Sequence, residues 1–174
     1  YNSKLNPVTF QTLFDALLNR GVRKIKFANY DDNVSPPSNK NNNSINFTSM
    51  ETNESLEELD LSDFWMQKED CRNLFHSIKK NKGLVKLQLH YFNYKKLSKE
   101  VKRLFEEMMC TNITLLDCCL GVIREPQDGI FELIRFHMKF NRLWKRYIQK
   151  RNEESAARTV VTRIEEGDNN NNNS

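Results

Sequence analysis

Ser62, His90, Asp60 and Asp117 are the residues of this 174-residue chain whose types could do nucleophilic chemistry. A hydroxyl, an imidazole and a carboxylate side by side make an acyl-transfer nucleophile, with the histidine as base and the carboxylate orienting it. Such a triad also needs an oxyanion hole and a dry pocket that fixes each group. A flat sheet face supplies neither, and the chain has no G-x-S-x-G, no glycine-rich phosphate loop and no H-E-x-x-H. The four residues therefore read as surface polars of a protein that is not an enzyme. Cys71, Cys110, Cys118 and Cys119 form no C-x-x-C pair, so reduced thiols are expected, with Cys118 buried and its neighbour Cys119 exposed. His76 and His137 lack a second ligand at metal spacing. No metal and no cofactor are expected.

The elements that must hold these side chains show in a repeated spacing. "SLEELDLSDF" from Ser55 puts Leu56, Leu59 and Leu61 in the order L-x-x-L-x-L. "LVKLQL" begins 28 residues later at Leu84, and "ITLLDC" another 29 residues on at Ile113. Upstream, "VRKIKF" begins at Val22, 34 residues before Leu56, across an insert. The last two apolar residues of each signal alternate as strand residues do, while the first sits at the incoming turn. Between the signals lie amphipathic helices of about three turns. One carries Phe10, Leu13, Phe14, Leu17 and Leu18, with Thr9 as N-cap and Gly21 as stop. The second carries Cys71, Leu74, Phe75 and Ile78 and stops at Gly83; the third carries Val101, Leu104, Phe105 and Met108 behind Ser98 as cap.

This alternation resembles the leucine-rich repeats, specifically the ribonuclease-inhibitor-like class, over roughly Thr9 to Tyr147. The resemblance implies an α/β solenoid, a right-handed horseshoe with short parallel strands on the concave face, helices on the convex face and a C-terminal capping helix. Equivalent leucines would then stack between units that cannot bury them alone. The family pattern ends in Asn or Cys three places after the third leucine. Tyr30, Phe64, Phe92 and Gly121 stand there in this chain. The resemblance also implies regulatory roles seen in that class, such as a GTPase activator, an actin-regulator subunit or a ubiquitin-ligase substrate receptor. The fold alone selects none of them.

The expected organisation is repeats over residues 1–129, with a low-complexity insert at 33–55, then a basic amphipathic cap at 130–151 and a disordered Asn-rich tail at 152–174. In the insert, Ile45, Phe47 and Met50 are the residues able to tack it back onto the convex side. Repeats upstream of Tyr1 are expected, because the first strand signal needs a neighbour. In the cap, Leu133, Phe136, Phe140, Leu143 and Tyr147 share a face that would cover the last repeat. Arg135, Lys139, Arg142 and Arg146 would then lie outside, where basic amphipathic helices also bind membrane surfaces, calmodulin or nucleic acid.

Composition narrows the partner. Lys and Arg number 27 against 23 Asp and Glu, a net charge of +4 that is no nucleic-acid signature by itself. No apolar run approaches the roughly 20 residues of a spanning helix. By register, Lys24, Lys26, Glu58, Asp60, Ser62, Lys86, Gln88, His90 and Asp117 point out from the concave sheet, as would Leu115 and Cys119. Basic and acidic rows alternate, which suits a mixed polar protein contact better than a polyanion groove. The reading is a monomeric, cytoplasmic protein-interaction module. Trp65, Tyr91 and Phe92 are its candidate aromatic anchors, its partner is another protein, and it takes no small-molecule substrate.

Overall fold

The computed structural model describes residues 7–27, 44–62, 64, 66–89, 97–120 and 129–171. Helix α1 (Pro7–Asn19) leads to strand β1 (Lys24–Lys26), a short 3-10 helix (Thr48–Met50) and β2 (Glu58–Asp60). Then come α2 (Lys68–Lys80), β3 (Lys86–Leu89), α3 (Lys99–Thr111), β4 (Asp117–Leu120) and the long α4 (Ile130–Asn171). The four strands form one parallel sheet in chain order, β1-β2-β3-β4, so each strand pairs with the next across a helical connection.

The apolar spacing sets the core. Ile25, Leu59, Leu87 and Cys118 are Cα partners across the sheet, and Leu89 partners Leu120. Leu56, Leu84 and Leu115 are buried at the incoming turns. The first three signals stand as read. The fourth is shifted by two residues: its units are Leu115, Cys118 and Leu120, not Ile113, Leu116 and Cys118. Ile113 is exposed and Leu115, expected to face outward, is buried. An apolar pair at Leu115–Leu116 fits both registers, and Asn112 decides between them by its hydrogen bonds.

Asn53, Asn81, Asn112 and Asn141 form a stacked series. Asn81 and Asn112 end α2 and α3, and each lies three residues before a buried leucine. The side-chain oxygen of Asn81 accepts from the N–H groups of Gly83 and Leu84 at 2.9 and 2.6 Å. Its amide nitrogen donates to the carbonyls of Met50 and Asn53 at 2.6 and 2.7 Å, in the preceding unit. Helix ends leave backbone carbonyls without intrahelical partners, and these carboxamides satisfy some of them while turning the chain into the next strand.

The second half of the insert supplies the helical layer between β1 and β2. Ile45, Phe47 and Met50 are buried, as the sequence suggested. Asp70, in the first turn of α2, accepts from the N–H of Ile45 at 2.7 Å and of Gln67 at 2.8 Å. It thereby clamps the insert and completes the capping box of α2. Burial pushes the Asp70 carboxyl up against these hydrogen bonds. Residues 33–43 of the insert lie outside the described residues.

Helix α1 starts at Pro7, two residues before the expected cap Thr9, because proline suits a first helical position whose N–H would have no partner. Gly21 ends that helix region at φ +68°, and Ser98 caps α3 by accepting from the Val101 N–H. Strand β1 lies at a sheet edge, yet Phe27 is buried because Phe10 and Phe14 of α1 cover it. Phe64, at a place where the repeat family has Asn or Cys, packs its half-buried ring 4.5 Å from Phe10.

Helix α4 differs most from expectation. Gly129 (φ +65°) precedes it, and the helix continues to Asn171 where a disordered tail was expected from 152. Helix formers in Glu153-Glu154-Ser155-Ala156-Ala157 favour this extension, and so do the side-chain pairs Gln149–Glu153 (3.0 Å) and Lys150–Glu154 (3.9 Å). The face laid on the body is Ile130, Ile134, Met138 and Asn141, all buried. The expected capping face is turned out instead: Phe136, Phe140, Leu143 and Tyr147 are exposed, and only Leu133 is partly buried. Asn141 dictates this rotation. Its amide nitrogen must reach the carbonyls of Asn112 and Leu115, which it does at 2.9 and 2.8 Å.

Candidate functional site

Alternating burial along each strand leaves one side chain in two facing away from the core. The outward rows are Lys24 and Lys26 on β1, Glu58 and Asp60 on β2, Lys86 and Gln88 on β3, and Asp117 and Cys119 on β4. The register sets Lys24 beside Glu58, Lys26 beside Asp60, Glu58 beside Lys86 and Lys86 beside Asp117. Lys24 reaches Glu58 at 2.7 Å and Lys26 reaches Asp60 at 3.0 Å. At the strand entrance Arg23 Nη2 donates to both carboxylate oxygens of Glu57, at 2.6 and 2.7 Å.

These pairs show in the acidities. The hydrogen bond from Lys24, aided by the charges of Lys24, Lys86 and Arg23, holds Glu58 below the usual carboxylate range. Burial pulls Asp60 up, but hydrogen bonds from Ser62 and Lys26 outweigh it and leave the carboxyl below its ordinary value. The outward charges of β1 and β2 are thus already paired with one another.

Ser62 is not part of the exposed grid. It is buried, and its hydroxyl and backbone N–H both donate to Asp60 Oδ1. The strand ends at Asp60, and this tight turn folds Ser62 back where continued alternation would have pointed it out. His90, Tyr91, Phe92 and Trp65 lie outside the described residues.

Cys118 is buried and Cys119 exposed. Burial pushes the thiols of Cys118 and Cys71 up to about 12. Cys110 is exposed, its sulfur 3.4 Å from His137 Nε2. Among the described residues no cluster of three or more His, Cys, Asp or Glu side chains is placed to hold a metal. On the helical side a groove of about 430 Å³ runs between the 3-10 helix, α2 and α3, with Arg72, His76, Glu100 and Arg103 in its walls. Its charges pair across the helices, Arg72 with Glu100 at 3.0 Å and Lys79 with Glu107 at 3.1 Å.

The four basic residues of α4 fall into two kinds. Arg142 is tied to the body, its Nε donating to the Leu116 carbonyl at 3.0 Å. Arg135, Lys139 and Arg146 are exposed, with Arg135 3.5 Å from Glu132. Beside them lies the aromatic stripe that sequence periodicity assigned to the core. Periodicity finds such a stripe but not which way it turns; the signal that could have settled it was the spacing of Asn53, Asn81, Asn112 and Asn141.

A scan against known protein families finds no match to this chain, and a search of curated proteins finds none either. Among solved structures, the actin-binding site 2 of leiomodin-1 is similar with a TM-score of 0.47 at 13% identity, covering 79% of this chain and 95% of that one. A likeness at that level carries no functional argument.

Proposed function

We propose that this chain is a leucine-rich-repeat solenoid of the ribonuclease-inhibitor-like class, acting as a non-catalytic module that docks another protein on the concave sheet. One observation carries the reading: the outward charges stand in strict register, and those of β1 and β2 are paired with one another. Lys24, Lys26, Glu58 and Asp60 are fixed by ion pairs before any partner arrives. Such a face loses little side-chain entropy on binding, and its alternating signs select a partner of matching pattern over a uniform polyanion. Strand spacing of about 4.8 Å sets the pitch that a partner must match. Lys86, Gln88 and Asp117, at the centre and far edge of the grid, are the residues on which its binding energy would concentrate.

Affinity capture from extracts of the source cells tests this. Wild type and the double variant Lys86→Ala/Asp117→Ala, matched in thermal stability, serve as baits, followed by mass spectrometry. A partner retained by the wild type and lost by the variant supports the reading. A partner set that is unchanged, even with Lys24→Glu and Glu58→Lys added, overturns it.

A further inference from the structure

We propose that α4 is a second, independent docking surface, and that its occupant is the surface of an anionic lipid bilayer. Phe136, Phe140, Leu143, Trp144, Tyr147 and Ile148 are all exposed, Phe136 at 64% and Leu143 at 53%. Isolated apolar residues on a surface need no explanation. Six large ones within four turns of one helix do.

The geometry leaves this stripe clear of the body. At 100° per residue, the buried Ile134, Met138 and Asn141 centre on one direction, and the stripe centres about 130° round the helix. The domain therefore sits behind the helix, and the stripe can meet a plane without collision. Arg135, Lys139 and Arg146 form a band along one flank of the stripe, and Arg151 follows Tyr147 one turn on, within the stripe's own angular range, its guanidinium 6.0 Å from the ring.

Charge chooses the sign of the partner. Between Ile130 and Arg151 there are seven Lys and Arg against the single Glu132, a net +6 in a chain whose total is +4. The rest of the protein is thus net acidic, and the basic charge is concentrated beside the apolar stripe. A second copy of the same helix segment would set +6 against +6, which disfavours self-pairing. The apolar band spans about 140° from Leu143 round to Ile148, wider than the narrow seam that a single partner helix fills. A broad face of Phe, Trp and Tyr with Arg and Lys at its margin matches the headgroup boundary of a bilayer. The helix would lie on that surface, since no helix among the described residues is long and apolar enough to cross one.

The test is co-sedimentation of the full chain with phosphatidylcholine vesicles, with and without phosphatidylserine, at about 0.1 M and about 0.5 M salt. Binding should be at least about tenfold tighter with phosphatidylserine and weaken in high salt. The exposed pair Phe136→Gln/Phe140→Gln and the charge variant Lys139→Glu/Arg146→Glu should each lower it at least about fivefold. The sheet variant Lys86→Ala/Asp117→Ala should leave it unchanged, which separates this surface from the concave one. No vesicle binding, or binding indifferent to Phe136→Gln/Phe140→Gln, overturns the proposal. So does sedimentation equilibrium showing a dimer that those Phe variants dissolve, or binding confined to RNA.

Discussion

Asn112 closes onto Asn81. Its amide nitrogen donates to the Asn81 carbonyl at 3.0 Å and to the Ile78 carbonyl at 2.7 Å, while its oxygen accepts from the N–H groups of Thr114 and Leu115 at 3.0 and 2.8 Å. Asn81 repeats the arrangement one unit earlier, and Asn141 repeats its donor half one unit later. Each of these carboxamides is buried, so each ties two successive units where water cannot substitute.

Asn112→Ala removes both donors and the acceptor at once and leaves backbone groups unpaired in a dry turn. A loss of about 2–4 kcal/mol in urea unfolding is expected. Asn112→Asp should cost at least as much, because a carboxylate oxygen would face two carbonyls. A loss under about 0.5 kcal/mol, the range of an ordinary surface change, would show that the series contributes nothing to stability.

Two glycines should respond differently to alanine. At Gly83 a Cβ would sit 2.7 Å from the Glu54 carbonyl oxygen and 2.8 Å from two further backbone atoms, which cannot swing aside. At Gly129 nothing lies within 4 Å, and only the φ of +65° resists a side chain. Gly83→Ala should therefore cost about 2–3 kcal/mol and Gly129→Ala about 1 kcal/mol, compared by thermal melts. Equal costs would mean that the Glu54 loop yields.

Thiol labelling should divide the cysteines in half. Cys110 and Cys119 are exposed, whereas Cys71 and Cys118 are buried with thiols pushed up to about 12. A disulfide reagent at pH 8 should modify two thiols quickly and the other two only at the rate of unfolding. Fast labelling of Cys118 would contradict the placement of β4.

Acid should destabilise the sheet through Asp60 and Glu58. Both are held below their ordinary values, so their contribution is complete above the usual carboxylate range and lost as pH falls through the folded values. Asp70 works the other way. Burial raises it, so the folded state binds its proton more tightly, and its penalty is relieved as pH falls from the raised value to about 4. Urea midpoints measured between pH 7 and pH 3 should thus decline less steeply in Asp60→Asn and more steeply in Asp70→Asn.

The strand–helix alternation and three of the four strand registers were legible in the sequence, because one buried face per strand forces the L-x-x-L-x-L spacing. Ile25, Leu59 and Leu87 align as that spacing requires. The fourth register was not, since Leu115-Leu116 offers two equivalent apolar choices and Cys118 hides among leucines. Among the described residues the outward rows followed from the registers, except at Leu115, where the fourth register shifts, and at Ser62, where a local turn overrode alternation. The asparagine series was missed because the insert and tail are so rich in asparagine that four functional copies did not stand out.

The face of α4 offers the sharpest contrast between pattern and structure. Apolar periodicity alone puts Phe136 and Phe140 on the body, whereas the helix rests on Ile134 and Met138, with Asn141 locking the rotation. Ile134→Ala and Met138→Ala should each cost about 2–4 kcal/mol, at the lower end for a site near the surface. Phe136→Ala should change stability by no more than about 0.5 kcal/mol, since its ring loses little contact. Urea unfolding of the three single variants decides the matter: a large cost at Phe136 with little at Met138 would mean that the helix is turned the other way, and the stripe would then be core.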